Sequence, residues 1–405
     1  MKKILLIAAI ILLNSVAKAQ TYVWTQKANF GGGGRYAGAG FSIGTKGYIG
    51  TGITHVGSVY TYHNDFWEWD QATNVWAQKA NFAGPPRYGA SGFAVDQKGY
   101  ITLGWVPQLN DLWEYNPLTN TWLQKTNFGG SARYDAASFV INNFAYIGTG
   151  YAPYKKDFWK YDITNDTWTQ VADIGGQPRS TATGFSVGNY GYVACGGQQF
   201  TLYTNHLWQY DAIANTWIQK ANFPGPARTA ASAFAFNGKG YVGVGCTDVS
   251  VFTDFYSYDP PTDAWSPIAG FPGQGLIKTV TFSIGNRGYM GTGSDDIYNG
   301  GIDRAEFWEY GPVTTSVEEN DISNDISIFP NPVNDKFFVR FKKNVSGQLT
   351  ISLFDLNGRL IKSQNLKLQG NEIEFSTSEI KGGNYLLEIL NKSEAPLLRK
   401  NIFIQ

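Results

Sequence analysis

Cysteine, methionine and histidine are scarce in this chain of 405 residues, at two, two and three copies, and charge is balanced at 32 basic and 32 acidic side chains. Each scarcity removes a class of function. Cys195 and Cys246 are too few for a disulfide framework and fall at unequal positions in neighbouring repeats, so two buried free thiols are expected. His55, His63 and His206 are spread over two loops, and there is no HExxH motif, no GxSxG elbow and no metal-ligand cluster. Without a basic patch, nucleic acid is not an expected partner, because phosphate binding needs clustered Lys and Arg. Long apolar runs are confined to residues 1–19, "MKKILLIAAIILLNSVAKA", which read as a secretory signal peptide cut before Gln20. Its apolar stretch of about ten residues is too short to span a bilayer. No cysteine follows the cut, which disfavours a lipoprotein, and no transmembrane segment is expected in the mature chain.

Aromatics (16%) and glycines (47) are abundant, as in β-structure with many tight turns. A tryptophan after a polar turn recurs at 24, 76, 122, 168, 217 and 265. Gly-Tyr pairs recur at 47/48, 99/100, 191/192, 240/241 and 288/289, with Ala145-Tyr146 in the third slot. A third landmark runs "DFWEWD", "DLWEYN", "DFWKYD", "HLWQYD", "DFYSYD" and "EFWEYG", starting at 65, 111, 157, 206, 254 and 306. With a strand before each Gly-Tyr pair, every unit holds about four strands, the signature of a β-propeller blade. The first Trp phrase, "TYVWTQKANF", stands alone at the start, and no Trp follows "EFWEYGPV" at the end. These two halves predict one shared blade, in which the strand of Trp24 pairs with that of Trp308 and closes a ring of six.

Arg, then "GY..G", then "D.W.YD...N.W" resembles the kelch repeat over about Val23–Tyr310, with the family's Gly-Gly pair mostly Gly-Thr-Gly here. The resemblance implies a propeller like the central domain of galactose oxidase. The copper, Tyr–Cys cross-link and two histidines of that relative cannot be assembled from this chain, and no cofactor or metal is expected. Another kelch relative, a six-bladed sialic-acid mutarotase, works from polar groups in a central mouth. A cofactor-free sugar-processing activity is therefore the alternative to a binding role, although no residue stands out as its base.

Length variation is confined to one connection. Each strand-d Trp precedes the next strand-b Gly (or Ala145) by 23 residues, as in 24→47, and each "D.W" motif precedes its Trp by 11, as in 65→76. The b–c loops hold 12, 6, 6, 9, 8 and 12 residues, so one face is scaffold and the other is variable. On that variable face, Arg35, Arg87, Arg133, Arg179 and Arg228 either bind an anionic ligand or tie neighbouring blades through backbone carbonyls; Leu276 takes the sixth place. Two residues further on, Asp135 and Lys278 stand where Ala37, Gly89, Thr181 and Ala230 are small or neutral, marking a polar ligand site or a local ion pair of Asp135 with Arg133 or Arg179. The b–c loops add Tyr60, Tyr62, Trp105, Tyr151, Tyr154, Phe200, Tyr203, Phe252 and Tyr298, rings that stack on a sugar or contact a protein, or else cap their own blades. Phe41, Phe93, Phe139, Phe185, Phe234 and Phe282 are expected as inter-blade core. Asp295 and Asp296 lack EF-hand spacing and read as a solvated turn.

Residues 311–325 are polar and aperiodic, as in a linker. Residues 326–405 return to short alternating runs that fit an Ig-like β-sandwich. "FPNP" (329–332), "LFDLNGRLI", "GGNYLLEI" and "RKNIFIQ" resemble the C-terminal sorting domain of the Bacteroidetes type IX secretion system. That resemblance implies Sec export followed by outer-membrane passage and a secreted or surface location, with the secretion machinery as partner. The expectation is an all-β, monomeric protein: signal peptide 1–19, six-bladed propeller 20–310, linker 311–325 and sorting domain 326–405. Its leading function is binding of a glycan or a protein at the variable face.

Overall fold

The computed structural model describes residues 21–198, 202–296, 301–313, 326–342, 348–355, 359–367, 370–390 and 396–405. The signal peptide, nearly all of the linker, Phe200 and Tyr298 lie outside the described residues. The chain divides after Val313 into two compact units.

The first unit contains six four-stranded antiparallel sheets. Five take their strands in sequence order; the second, for instance, runs Ser91–Val95, Lys98–Thr102, Leu112–Asn116 and Thr121–Lys125. In the sixth, Val280–Ile284, Arg287–Gly291 and Phe307–Pro312 are completed by Tyr22–Gln26 from the start of the chain. Trp24 faces Tyr310 in that pairing and Gln26 faces Trp308, as the incomplete repeats predict. The inner strand of each sheet packs against the next, and the sixth packs against the first, around a polar channel of about 430 Å³.

Three sets of repeated contacts join one sheet to the next. Each outer-strand indole donates to a backbone carbonyl of the preceding repeat, from Trp76 to Ala28 (2.9 Å) round to Trp24 to Ala269 (3.0 Å). The glycines at 52, 104, 150, 196 and 245 each donate a backbone N–H to the carbonyl at the arginine position of the next repeat, and Gly293 donates back to Arg35. Between them, the inner-strand phenylalanines are buried as expected, from 3% to 6% exposed. Each presses on the Gly-Tyr position of its neighbour. A Cβ on Gly99 would lie 2.0 Å from the ring of Phe41, which explains the glycine there. Both cysteines are free and buried.

Among its described residues the second unit has seven strands in sheets of three and four. Its core contains Phe337, Val339, Phe341, Ile351, Leu353, Phe375, Leu387 and Ile389. Strands such as Lys336–Phe341 alternate buried and exposed residues, the period-2 pattern of a strand with one face in a core. Among the described residues no helix is long and apolar enough to cross a membrane.

Candidate functional site

The inner strands are entered through six residues with left-handed backbone: Ala37, Gly89, Asp135, Thr181, Ala230 and Lys278, with φ between 50° and 64°. In this geometry the chain turns sharply and each amide points at a neighbouring repeat. Ala37 N–H donates to the Lys278 carbonyl, Gly89 to Ala37, Asp135 to Gly89, Thr181 to Asp135 and Ala230 to Thr181, at 2.8–3.0 Å. The result is a hydrogen-bonded floor whose shape is set by backbone and whose chemistry is set by side chains.

Two of those side chains meet across the floor. Lys278 Nζ donates to Asp135 Oδ2 at 2.8 Å, and both side chains are mostly buried, at 14% and 10% exposed. The local ion pair foreseen for Asp135 exists, but its partner is Lys278 and not an arginine. Above it opens a pocket of about 180 Å³ whose two walls differ. One wall is aromatic: Tyr88, Tyr134, Tyr151 and Tyr154, with successive ring centroids 5.7, 5.5 and 4.7 Å apart. The other is small and hydroxylated, with Ser180, Thr181, Thr229, Gln198 and Cys246, and Tyr203 also lines the pocket. Burial raises the phenol pKa of Tyr88 and Tyr134, that of Tyr134 to about 12, with the charge of Asp135 adding to both. Both stay protonated at neutral pH and able to donate.

Tyr60 aside, the sequence-predicted residues separate into three groups. Asp135, Lys278, Tyr151, Tyr154 and Tyr203 line the pocket. Tyr62 and Trp105 stand behind it, Tyr62 stacked on Tyr88 at 5.9 Å and Trp105 edge-on to Tyr134 at 5.3 Å. Tyr60 lies apart, exposed on a hairpin and stacked on His55.

The arginines form the third group, and here the ligand-binding expectation is corrected. Arg35, Arg87, Arg133 and Arg228 are at most 1% exposed, and both terminal nitrogens of each guanidinium are engaged within the protein. Each forks onto one carboxylate, of Asp65, Asp111, Asp157 or Asp254, at 2.5–2.9 Å. Each also donates to the carbonyl 16 residues on, as Arg87 does to Leu103 at 2.9 Å. Phe30, Phe82, Phe128 and Phe223 lie under the four guanidiniums. A ligand would have to displace all of this, so these residues tie the repeats together. Arg179 is equally buried but lacks the carboxylate.

Burial alone would raise the pKa of Asp65, Asp111 and Asp157, but hydrogen bonds and charge from the arginines outweigh it and the net shift is downward. A carboxyl with a depressed folded pKa stabilises the protein above its unfolded value, 3.8, and loses that contribution as pH falls through the lower folded value. Asp111→Asn should therefore lower stability at pH 7 and flatten its fall below about pH 4. Urea unfolding from pH 2.5 to 7 checks this, and an undiminished acid slope in the variant would count against it.

Sequence reasoning missed Tyr88 and Tyr134. The signal was the residue after each arginine: "RY" in the first three repeats, then Arg179-Ser180, Arg228-Thr229 and Leu276-Ile277. That half-and-half distribution is the asymmetry of the pocket.

Comparison with known proteins agrees with this architecture. Residues 131–289 match the KLHDC2/KLHL20/DRC7 kelch-repeats domain, and residues 327–405 match the secretion system C-terminal sorting domain. No curated protein matches the chain. Among solved structures, one titled "Structure of YjhT" aligns at a TM-score of 0.58 and 15% identity over 69% of this chain and 95% of the other, a likeness of fold alone. The sorting domain implies export, to the cell surface or beyond it. The chain is thus similar to kelch-repeat proteins over residues 131–289 and to secretion system C-terminal sorting domains over residues 327–405.

Proposed function

We propose that this is an exported carbohydrate-binding protein whose six sheets are the blades of a closed propeller and whose pocket takes a single sugar ring. The proposal extends to the boundaries given above, with residues 326–405 an Ig-like sandwich that engages the secretion machinery. The observation that carries the binding role is the asymmetric pocket over the Asp135–Lys278 pair. Sugars present an apolar C–H face and a rim of hydroxyls, and they suit a tyrosine wall facing hydroxyls and an ion pair. At about 180 Å³ the pocket is below the roughly 300–1,000 Å³ usual for drug-sized ligands, a size that favours one ring or a chain end. Binding is preferred over sugar processing because Asp135, the carboxylate of the floor, is already engaged through Oδ2 in an ion pair with Lys278.

Screening the purified protein on a glycan array, with anomerisation of the hits followed by NMR, tests both readings. Tyr134→Ala and Asp135→Asn should each weaken binding of the best glycan about tenfold, equivalent to roughly 1.4 kcal/mol. Tyr60→Ala, outside the pocket, should leave affinity unchanged. If neither pocket variant alters binding, the assignment fails; turnover without retained binding would favour the enzyme.

A further inference from the structure

The fourth repeat departs from its neighbours at one buried point. Where the others place Asp65, Asp111, Asp157 and Asp254 against the arginine, this repeat has His206. Where the others place a phenylalanine under the guanidinium, it has Ile174. Arg179 has thus lost both its counter-charge and its ring, yet it is only 2% exposed.

Its remaining bonds are to carbonyls: Nε to Gln177 at 3.1 Å, Nη2 to Gly175 at 3.1 Å and Nη1 to Cys195 at 3.5 Å. A guanidinium has five N–H groups, so two are left over, the number that the forked carboxylate takes in the other repeats. Two further polar groups at this point are buried without a partner, Trp208 Nε1 and His206 Nδ1. In the first three repeats the matching indoles of Trp67, Trp113 and Trp159 donate to the same carboxylate that holds the arginine. The donors are therefore retained while the acceptor has been removed.

Nothing else nearby supplies negative charge among the described residues. Burial pushes the Cys195 thiol up to about 12, so it stays neutral. Burial and Arg179 both lower the pKa of His206, which keeps the imidazole uncharged and free to offer an N–H. Burial also lowers the pKa of Arg179, to about 10, the response of a cation whose counter-charge is missing. An unpaired buried cation is among the costliest features a fold can carry.

We propose that the fourth repeat binds a small monovalent anion of chloride size, held by Arg179, Trp208 and His206 in the seat that an aspartate fills in the other repeats. The anion would restore charge balance at the joint between the third and fourth sheets, where Gly150 and Lys155 bond to the backbone of Arg179, so its effect is on stability.

Thermal unfolding of the purified protein in sodium chloride and in sodium isethionate, whose anion is too bulky for the seat, at equal ionic strength tests this. Chloride should raise Tm saturably, by roughly 2–4 °C. His206→Asp supplies a carboxylate to the seat and should abolish the chloride dependence while melting higher than wild type in isethionate. Equal melting of wild type in the two salts would overturn the proposal, as would a chloride dependence that survives in His206→Asp. Should that variant not fold, bromide-soaked crystals of wild type decide: an anomalous peak beside Arg179 supports the site, and its absence refutes it.

Discussion

Replacing Arg87 by alanine should cost about 3–5 kcal/mol, because it strands a buried carboxylate. Arg87 is fully buried and forks onto Asp111 at 2.5 and 2.7 Å. It also caps the carbonyls of Leu103 and Pro85 and lies 4.8 Å from the centroid of Phe82. Alanine leaves Asp111 with the indole of Trp113 as its side-chain donor and opens a cavity the size of the lost side chain. Most of the cost is thus the desolvated charge left behind, and not the net worth of the pair. The double variant Arg87→Met, Asp111→Leu should accordingly be milder than Arg87→Ala alone. Urea unfolding followed by tryptophan fluorescence measures both. A loss below about 1 kcal/mol for Arg87→Ala, the range of a surface pair, would show that the guanidinium is not a structural tie.

A larger effect is expected from deleting residues 21–30. The deletion strips the outer strand from the sixth sheet and leaves Phe307–Pro312 with an unpaired edge. Trp24 would be removed from among Phe234, Phe255, Phe271 and Tyr310, with ring centroids at 5.1–6.1 Å, together with its bond to Ala269. Phe30, which lies beneath Arg35, goes as well. The first unit should lose its cooperative melt, and the exposed edge should promote association. Trp24→Ala alone, which keeps the backbone pairing, should cost about 3–5 kcal/mol. Calorimetry and light scattering distinguish the cases; a deletion variant that melts cooperatively within a few degrees of wild type would mean that the sixth sheet stands without its outer strand.

Much of this architecture was legible because strand packing imposes fixed spacings. The constant interval from each Trp to the next Gly reflects a rigid turn and two paired strands, and the orphan phrase at Trp24 identified its own partner. The arginines were harder to read. Their acidic partners lie 24 to 30 residues downstream, from 87→111 to 35→65, so adjacency in sequence gave no hint of the pairing. The clue was covariation inside the chain: the repeats that lack Arg or Asp, with Leu276 and His206, are the irregular ones. Tyr88 and Tyr134 were overlooked for a different reason. Attention to the arginine and to the residue two places on skipped the position between, which the strand geometry turns toward the pocket. Tyr60 failed because a variable loop holds both rings that fold inward and rings that project outward, and loop membership does not distinguish them.

The left-handed floor bears on how such a protein diversifies. Its amides and carbonyls hold the turn whatever the side chain, and its six members already range from glycine to lysine without a change in backbone. A substitution there rewrites what the pocket offers a ligand while leaving untouched the contacts by which one repeat recognises the next. Innovation and foldability are thereby under separate control, and new specificities can be reached one position at a time. Every residue but glycine is penalised in that conformation and β-branched ones most, so Thr181 is the position at which exchange for asparagine or glycine should most ease the backbone.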